Sequence, residues 1–235
     1  MTHPVLIAEN LTKTYGSATA LHHASLTVHA GESVAIMGPS GSGKTTLMHV
    51  LSGILTPDQG QVRMLAGGHD VVVSSLSAEK RARLRRRHIG FVFQEGLLLP
   101  ELTARENVAV ALMMSGATRA HAETTADGWL QHLGLAGMED RRPAELSGGQ
   151  AQRVAIARAQ VASPDVVFAD EPTGALDSTT SASVLDALLD STVGRGAPLV
   201  MVTHDPAVAA RCTRLIRLAD GQIIEDSAAV SGAPR

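Results

Sequence analysis

Ser33-Val-Ala-Ile-Met37, running on into Gly38-Pro-Ser-Gly-Ser-Gly43 and Lys44-Thr-Thr-Leu-Met-His-Val-Leu51, is the stretch that decides the fold. The first run is short and wholly apolar, as in a buried strand, and the last has helical apolar spacing with Gly53 as its stop. The link fits G-x-x-x-x-G-K-[ST] at every fixed position and stands between strand and helix, where a phosphate-binding loop belongs. Glycines let the backbone turn its N–H groups inward at a helix N-terminus, where the dipole favours an anion. Gly38, Pro39, Ser40, Gly41, Ser42, Gly43, Lys44, Thr45 and Thr46 are therefore the candidate polyphosphate contacts. Lys44 offers a point charge to the β/γ-phosphates, and the Thr45 hydroxyl is a candidate Mg²⁺ ligand. A chance match in a chain of ordinary composition is on the order of one in a hundred. Only three of the basic residues are Lys (Lys13, Lys44, Lys80), which makes an incidental Lys44 rarer still.

Upstream, Val5 to Ala8 and Ala24 to Val28 read as strands; downstream, Gln61 to Leu65 follows the turn Thr56-Pro-Asp-Gln-Gly60 as another. Ser77 to Arg87 is strongly basic and reads as an exposed helix or turn before the strand Ile89 to Phe93. Between about 95 and 162 the periodicity turns helical, across Ala104 to Met114 and Ala120 to Leu133, which predicts a helical insert. Asp165 to Ala169 and Pro198 to Thr203 are continuous apolar runs, the pattern of buried parallel strands, with Ser178 to Leu189 as the crossover helix between them. Residues 228–235 are small and polar, and a flexible tail is expected there.

Chemistry-bearing residues sit at the ends of these runs. Asp170 and Glu171 follow a buried strand at its C-terminal end, where open α/β sheets place ligands. Paired acids also mark ordinary helix starts; beside a phosphate loop, Asp170 suits the metal and Glu171 the general base for water. Leu146-Ser-Gly-Gly-Gln150 precedes a strong helix, with Ser147 as its N-cap. Ser147, Gly148, Gly149 and Gln150 thus form a second potential anion cradle.

Composition removes several classes. The chain has 235 residues, 20 Lys+Arg against 23 Asp+Glu, a net charge of −3 and a single Cys, Cys212. Folding could bury about 70% of the extended chain's surface, so a core forms without staples. One Cys excludes a disulfide framework and fits a reducing compartment. The charge balance gives no global nucleic-acid footprint, and no nucleic-acid partner is expected. No apolar run approaches the ~18 to 20 residues of a membrane helix. The N-terminal MTHPVLIAEN has no basic region, and no secretory signal is expected from it.

Taken together, GPSGSGKT at 38–45, LSGGQ at 146–150 and FADEP at 168–172 resemble the nucleotide-binding subunit of an ATP-binding cassette (ABC) transporter, from Tyr15 to about Asp226. The resemblance implies an α/β fold: a P-loop NTPase (RecA-like) core with an N-terminal antiparallel β subdomain and an inserted helical subdomain, in one ATPase domain over 4–227. It also implies that Tyr15 stacks on adenine and that Gln94 contacts Mg²⁺ and the lytic water. By the same likeness Asp177 belongs to the D-loop, His204 reaches the γ-phosphate, and Glu171, His204 and Gln94 are the catalytic set, with Thr45, Gln94 and Asp170 around the metal. The implied cofactors are ATP and Mg²⁺. The implied partners are a second copy, whose Ser147 cradle completes the site head to tail, and an integral-membrane permease that holds the chain at the cytoplasmic face of the cell membrane, with the surface around Gln94 to Asn107 as the dock.

Arg85 to Gln94, Leu97 to Val108 and ADEPTGALDS at 169–178 further resemble the lipoprotein-release, macrolide-export and cell-division group, although Ala175, Ala151 and Gln160 depart from its usual residues. That likeness implies an exporter or a mechanical lever. An ATPase regulating a cell-division or signalling partner without transport, and an amino-acid importer, stand as alternatives. Soluble cassette ATPases of DNA repair or translation carry coiled-coil insertions or a second cassette, and this chain has neither.

Overall fold

A computed structural model describes residues 3–228, which form two sheets and seven α-helices. The tail expected at 228–235 lies, beyond Ala228, outside the described residues. Strands β1 (Pro4–Tyr15), β2 (Ala18–His29), β4 (Gln59–Ala66) and β5 (His69–Val72) make an antiparallel sheet in the order β2-β1-β4-β5. β1 and β2 run far beyond the expected Val5 to Ala8 and Ala24 to Val28, because their polar outer halves are held by ladder pairing down to Tyr15–Ala18.

The second sheet has the order β10-β9-β3-β8-β7-β6, with β3 (Ser33–Met37) central and β6 (Ile89–Val92), β7 (Val166–Asp170), β8 (Leu199–Val202) and β9 (Arg214–Ala219) parallel to it. β10 (Gln222–Asp226) closes the edge antiparallel to β9. This hairpin has no counterpart in the expected elements. Its signal is the Asp220-Gly221 pair, both with positive φ (48° and 74°), as a two-residue type I′ turn requires. β3, most of β7 and β8 are buried on both faces, as continuous apolar runs demand.

Helix α1 (Lys44–Leu51) matches its expected bounds, and α2 (Ala78–His88) resolves the basic stretch as a helix capped by Ser77. Helices α3 (Ala104–Met113), α4 (Arg119–His132) and α5 (Gly148–Gln160) all fall between β6 and β7, and α6 (Ser178–Thr192) crosses from β7 to β8; the short α7 (Pro206–Ala209) follows β8. One core packs α1 between the sheets around Phe168, Leu47 and Leu51; a second packs α3 to α6 on the opposite face of the parallel sheet. The C-terminal ends of β3 and β7 and the end of β1 thereby share one side of the molecule.

Candidate functional site

The loop between β3 and α1 is built by glycines, though not all for the reason the motif suggests. A Cβ on Gly38 would sit 2.1 Å from the Leu218 carbonyl oxygen, and one on Gly43 would sit 2.3 Å from that of Ala20. These two glycines therefore let the loop lie against β9 and β2. Gly41 meets nothing within 4 Å, and only its φ of +78° calls for glycine. Lys44 Nζ donates to the carbonyls of Gly38 (2.9 Å) and Pro39 (2.8 Å), which lays its stem along the loop. The Ser42 hydroxyl is buried with no hydrogen-bond partner among the described residues.

A cleft of about 450 Å³ opens over this loop. Tyr15, Ser40, Gly41, Gly43, Lys44, Thr45, Thr46, Gln94, Asp170 and Glu171 all line it. Gly38, Pro39 and Ser42 belong to the loop without lining the cleft. Tyr15 stands half-exposed at the end of β1. Its approach is fixed by Asp58, which accepts from Lys13 Nζ (2.8 Å), the Thr14 amide (2.7 Å) and the Thr14 hydroxyl (2.8 Å), while Lys13 lies 5.8 Å from the Tyr15 ring centre. The Lys13 hydrogen bond, then those of Thr14, lower the Asp58 carboxyl to about 2.

Asp170 ends β7 as a half-buried carboxyl. Burial first, and the neighbouring Glu171 second, push its pKa up, while His49 and Lys44 pull it down. Glu171 holds φ +48°, a left-handed backbone rare for a residue with a side chain, and its amide donates to Val202 O at 2.9 Å. That geometry turns its carboxylate towards His204, whose Nδ1 lies 2.8 Å from Glu171 Oε2. His204 is well exposed, and the hydrogen bond to Glu171 raises its pKa. His204 lines a neighbouring cavity of about 490 Å³ that shares Glu171 with the first.

The residues Ser147 to Gln150 do not border either cleft. Ser147 caps α5 through a reciprocal box: its hydroxyl accepts from the Gln150 amide (3.3 Å), and Gln150 Oε1 accepts from the Ser147 amide (2.9 Å). Ser147 and Gly148 are exposed and Gly149 is buried, since a Cβ there would meet Thr180 Cγ2 of α6 at 2.4 Å. Asp177 lines neither cleft either. Its Oδ1 accepts from the amides of Thr179 (3.1 Å) and Thr180 (3.0 Å) and so caps α6; the Thr180 side chain first, and these amides after it, lower its pKa.

Two contributors escape motif reading. Gln152 Nε2 donates to Phe93 O (2.8 Å), and Arg158 donates to Gly96 O (2.6 Å) and Leu97 O (2.8 Å). Both project from α5, so the helix that carries the Ser147 cradle also grips the loop that carries Gln94. Burial lowers the Arg158 pKa, and backbone carbonyls are its hydrogen-bond partners.

No group of three or more His, Cys, Asp or Glu poised for a metal occurs among the described residues. A hydroxyl (Thr45), an amide (Gln94) and one carboxylate (Asp170) on the same cleft instead suit a hard cation that keeps several waters and binds phosphate oxygens, as Mg²⁺ does.

Comparison with known proteins agrees with this geometry. The ABC transporter family profile matches residues 21–174. The macrolide export ATP-binding/permease protein MacB of Marinobacter nauticus is 45% identical over 230 residues, 96% of this chain and 35% of that protein. The chain thus spans about a third of that relative's length. The ABC transporter ATP-binding protein YbbA of Escherichia coli K12 is 44% identical over 86% of this chain and 87% of its own. Among solved structures, the dimeric post-hydrolysis state of the ATP-binding cassette MJ0796 bound to ADP and Pi superposes with a TM-score of 0.83 at 36% identity, covering 94% of this chain and 97% of that one. The profile match over most of the chain, the relatives and the shared fold show that the chain belongs to the ABC transporter family, as one of its ATP-binding cassettes.

Proposed function

We propose that the chain binds and hydrolyses ATP in head-to-tail pairs and drives a conformational change in an integral-membrane permease, as an exporter-type or mechanical cassette. One observation carries this reading. A single cleft gathers Tyr15, Lys44, Thr45, Gln94, Asp170 and Glu171, while the Ser147 cradle opens outside it. A second copy supplies that cradle, so ATP joins two chains, and the dimeric MJ0796 relative supports such a pairing.

In this reading Tyr15 stacks on adenine, and the loop 38–46 with Lys44 holds the β- and γ-phosphates. Thr45, Asp170 and Gln94 would hold Mg²⁺, which would supply positive charge to offset that of the polyphosphate. Glu171 accepts a proton from water as its oxygen attacks the γ-phosphorus; the bond to the ADP oxygen breaks, and ADP and phosphate are the products. His204, hydrogen-bonded to Glu171, is the side chain that reaches the γ-phosphate. Asp177, as the cap of α6, keeps the D-loop against α5. Contact at the cytoplasmic face of the membrane comes through the permease, docked near Gln94 to Asn107. Leu97, Leu99, Met113 and Met114 stay exposed there, beside a groove of about 320 Å³ lined by Arg85, Phe91, Phe93 and Leu97.

The test joins two readouts. Ser147→Arg and Glu171→Gln each abolish turnover, and Glu171→Gln still binds ATP and migrates as a dimer with it. Tagged Glu171→Gln with ATP, drawn from detergent-solubilised membranes, brings down a polytopic permease. Unchanged turnover in either variant sinks the site assignment; recovery of soluble partners alone sinks the membrane role.

A further inference from the structure

Helix α2 concentrates charge to a degree that neither folding nor catalysis uses. Its eleven residues hold Lys80, Arg81, Arg83, Arg85, Arg86 and Arg87 against Glu79 alone, a net +5 with His88 neutral. The whole chain is −3, so the remainder is −8 and the molecule is electrically polarised.

Two of the six cations are structural. Arg81 donates to Leu76 O and Arg85 to Gly53 O, each at 2.6 Å, and these bonds with buried Leu84 fasten the helix to the body. The other four point outward. Arg83 has only Glu79, one turn earlier and 3.6 Å away. Lys80, Arg86 and Arg87 are exposed and have no ion-pair partner among the described residues. Cations in a last turn complement the helix dipole, which gives Arg86 and Arg87 a local reason but leaves Lys80 and Arg83, in the first two turns, without one.

The position of this face identifies its ligand. Arg85 and Arg86 also line the groove beside Leu97 and Met114. If that groove receives the permease, as the proposed function has it, α2 stands where the chain meets the bilayer surface. Arginine matches phosphate oxygens through its planar fork, and the helix has no Phe, Tyr or Trp on which a base could stack, which disfavours single-stranded nucleic acid. No helix among the described residues is long and apolar enough to cross a membrane.

We propose that the exposed basic face of α2, Lys80, Arg83, Arg86 and Arg87, binds the anionic phospholipid headgroups that surround the permease. The inference rests on the permease reading for its placement, but its chemistry is testable without the permease.

The full chain is sedimented with vesicles of phosphatidylcholine alone and of phosphatidylcholine with about one quarter phosphatidylglycerol, at low and at high salt. The same is done for the triple variant Lys80→Gln, Arg86→Gln, Arg87→Gln. Binding is expected only to the anionic vesicles, lost at high salt, and reduced on the order of a hundred-fold in the triple variant, since each basic residue near such a surface contributes about five-fold. ATP turnover of the variant, free of vesicles, stays at the unaltered level and reports that it is folded. Equal binding to both vesicles, binding retained by the variant, or binding to a DNA duplex without binding to anionic vesicles overturns the proposal. Anionic-vesicle binding without permease recovery would instead remove the dock and leave the lipid contact standing; the converse removes only the lipid contact.

Discussion

Arg158→Met probes the link between α5 and the Gln94 loop. In the native chain the guanidinium forks between Gly96 O and Leu97 O. Gly96 is buried, so its carbonyl loses a partner that water cannot replace, at about 1–3 kcal/mol. Leu97 is 57% exposed, and its carbonyl rehydrates at little cost. Two effects offset part of that loss. Methionine removes a cation that burial disfavours, and release of Leu97 from φ +46° returns about 1–2 kcal/mol of backbone strain. The net global loss is therefore about 1 kcal/mol, small beside what the loop itself loses. Gln152, through Phe93 O, and Asn107, through the Leu99 amide and carbonyl, then hold the segment at its two ends. Opening of the loop should become roughly ten-fold more frequent, read as faster amide exchange at Gly96, whose N–H bonds to Phe93 O. Turnover should fall several-fold with the KM for ATP nearly unchanged, because the phosphate loop is untouched. Arg158→Lys should fall between, since one ammonium lacks the planar fork that serves both carbonyls. A folded Arg158→Met chain with unaltered Gly96 exchange and turnover within two-fold would refute the coupling.

Gly43→Ala should destabilise the chain by about 3 kcal/mol or more and abolish nucleotide binding, because β2 must give way at the Ala20 carbonyl; Gly41→Ala, with open space around it, should cost only about 1–2 kcal/mol in denaturant unfolding. Equal costs would show that the loop does not pack as described. The His204 imidazole should titrate above its ordinary 6.5 by NMR, and Glu171→Gln should bring the midpoint down. The sign follows from a raised pKa: the pairing is complete below the unfolded value and is lost as pH rises through the folded one. A midpoint unmoved by Glu171→Gln would break the pairing. Turnover per chain should rise with protein concentration at saturating ATP, since the proposed function takes the second cradle from another copy. A rate per chain that stays constant on dilution would place both cradles on one molecule.

The sequence carried the local features well. Lys44–Leu51, the Ser147 cap, the continuous apolar runs of β7 and β8 and the basic helix each depend on neighbours a few residues away. What escaped depends on distance along the chain. Gly38 is fitted to Leu218, Gly43 to Ala20 and Gly149 to Thr180, so their packing role is invisible to a motif that explains them by phosphate alone. Gln152 and Arg158 grip carbonyls 59 to 62 residues away, and nothing in a polar residue on a helix announces that. β5 is a four-residue edge strand with a half-polar sequence, held by its ladder to β4. The β9–β10 hairpin did carry a signal in Asp220-Gly221.

The charge distribution at the cleft bears on why the proposed function has the cassette act in pairs. Two carboxylates, Asp170 and Glu171, share its wall with one ammonium, Lys44. Fixed side-chain charge there is thus no better than neutral towards a polyphosphate; burial first, and Glu171 after it, raise the Asp170 pKa. In the proposed function, attraction for ATP comes from backbone N–H groups at the start of α1, from a divalent cation that Thr45, Gln94 and Asp170 would hold, and from donors beyond the cleft. The capped start of α5 is such a donor set, and Ser147 and Gly148 are exposed on a surface apart from the chain's own cleft. A nucleotide whose charge is met only by two chains binds both more tightly than either, and cleavage of its γ-phosphate removes the group that spans them. In the proposed pairing, the exposure of one cradle and the electrostatic insufficiency of the other are two sides of the same arrangement, in which hydrolysis at Glu171 would weaken the contact with the partner's α5.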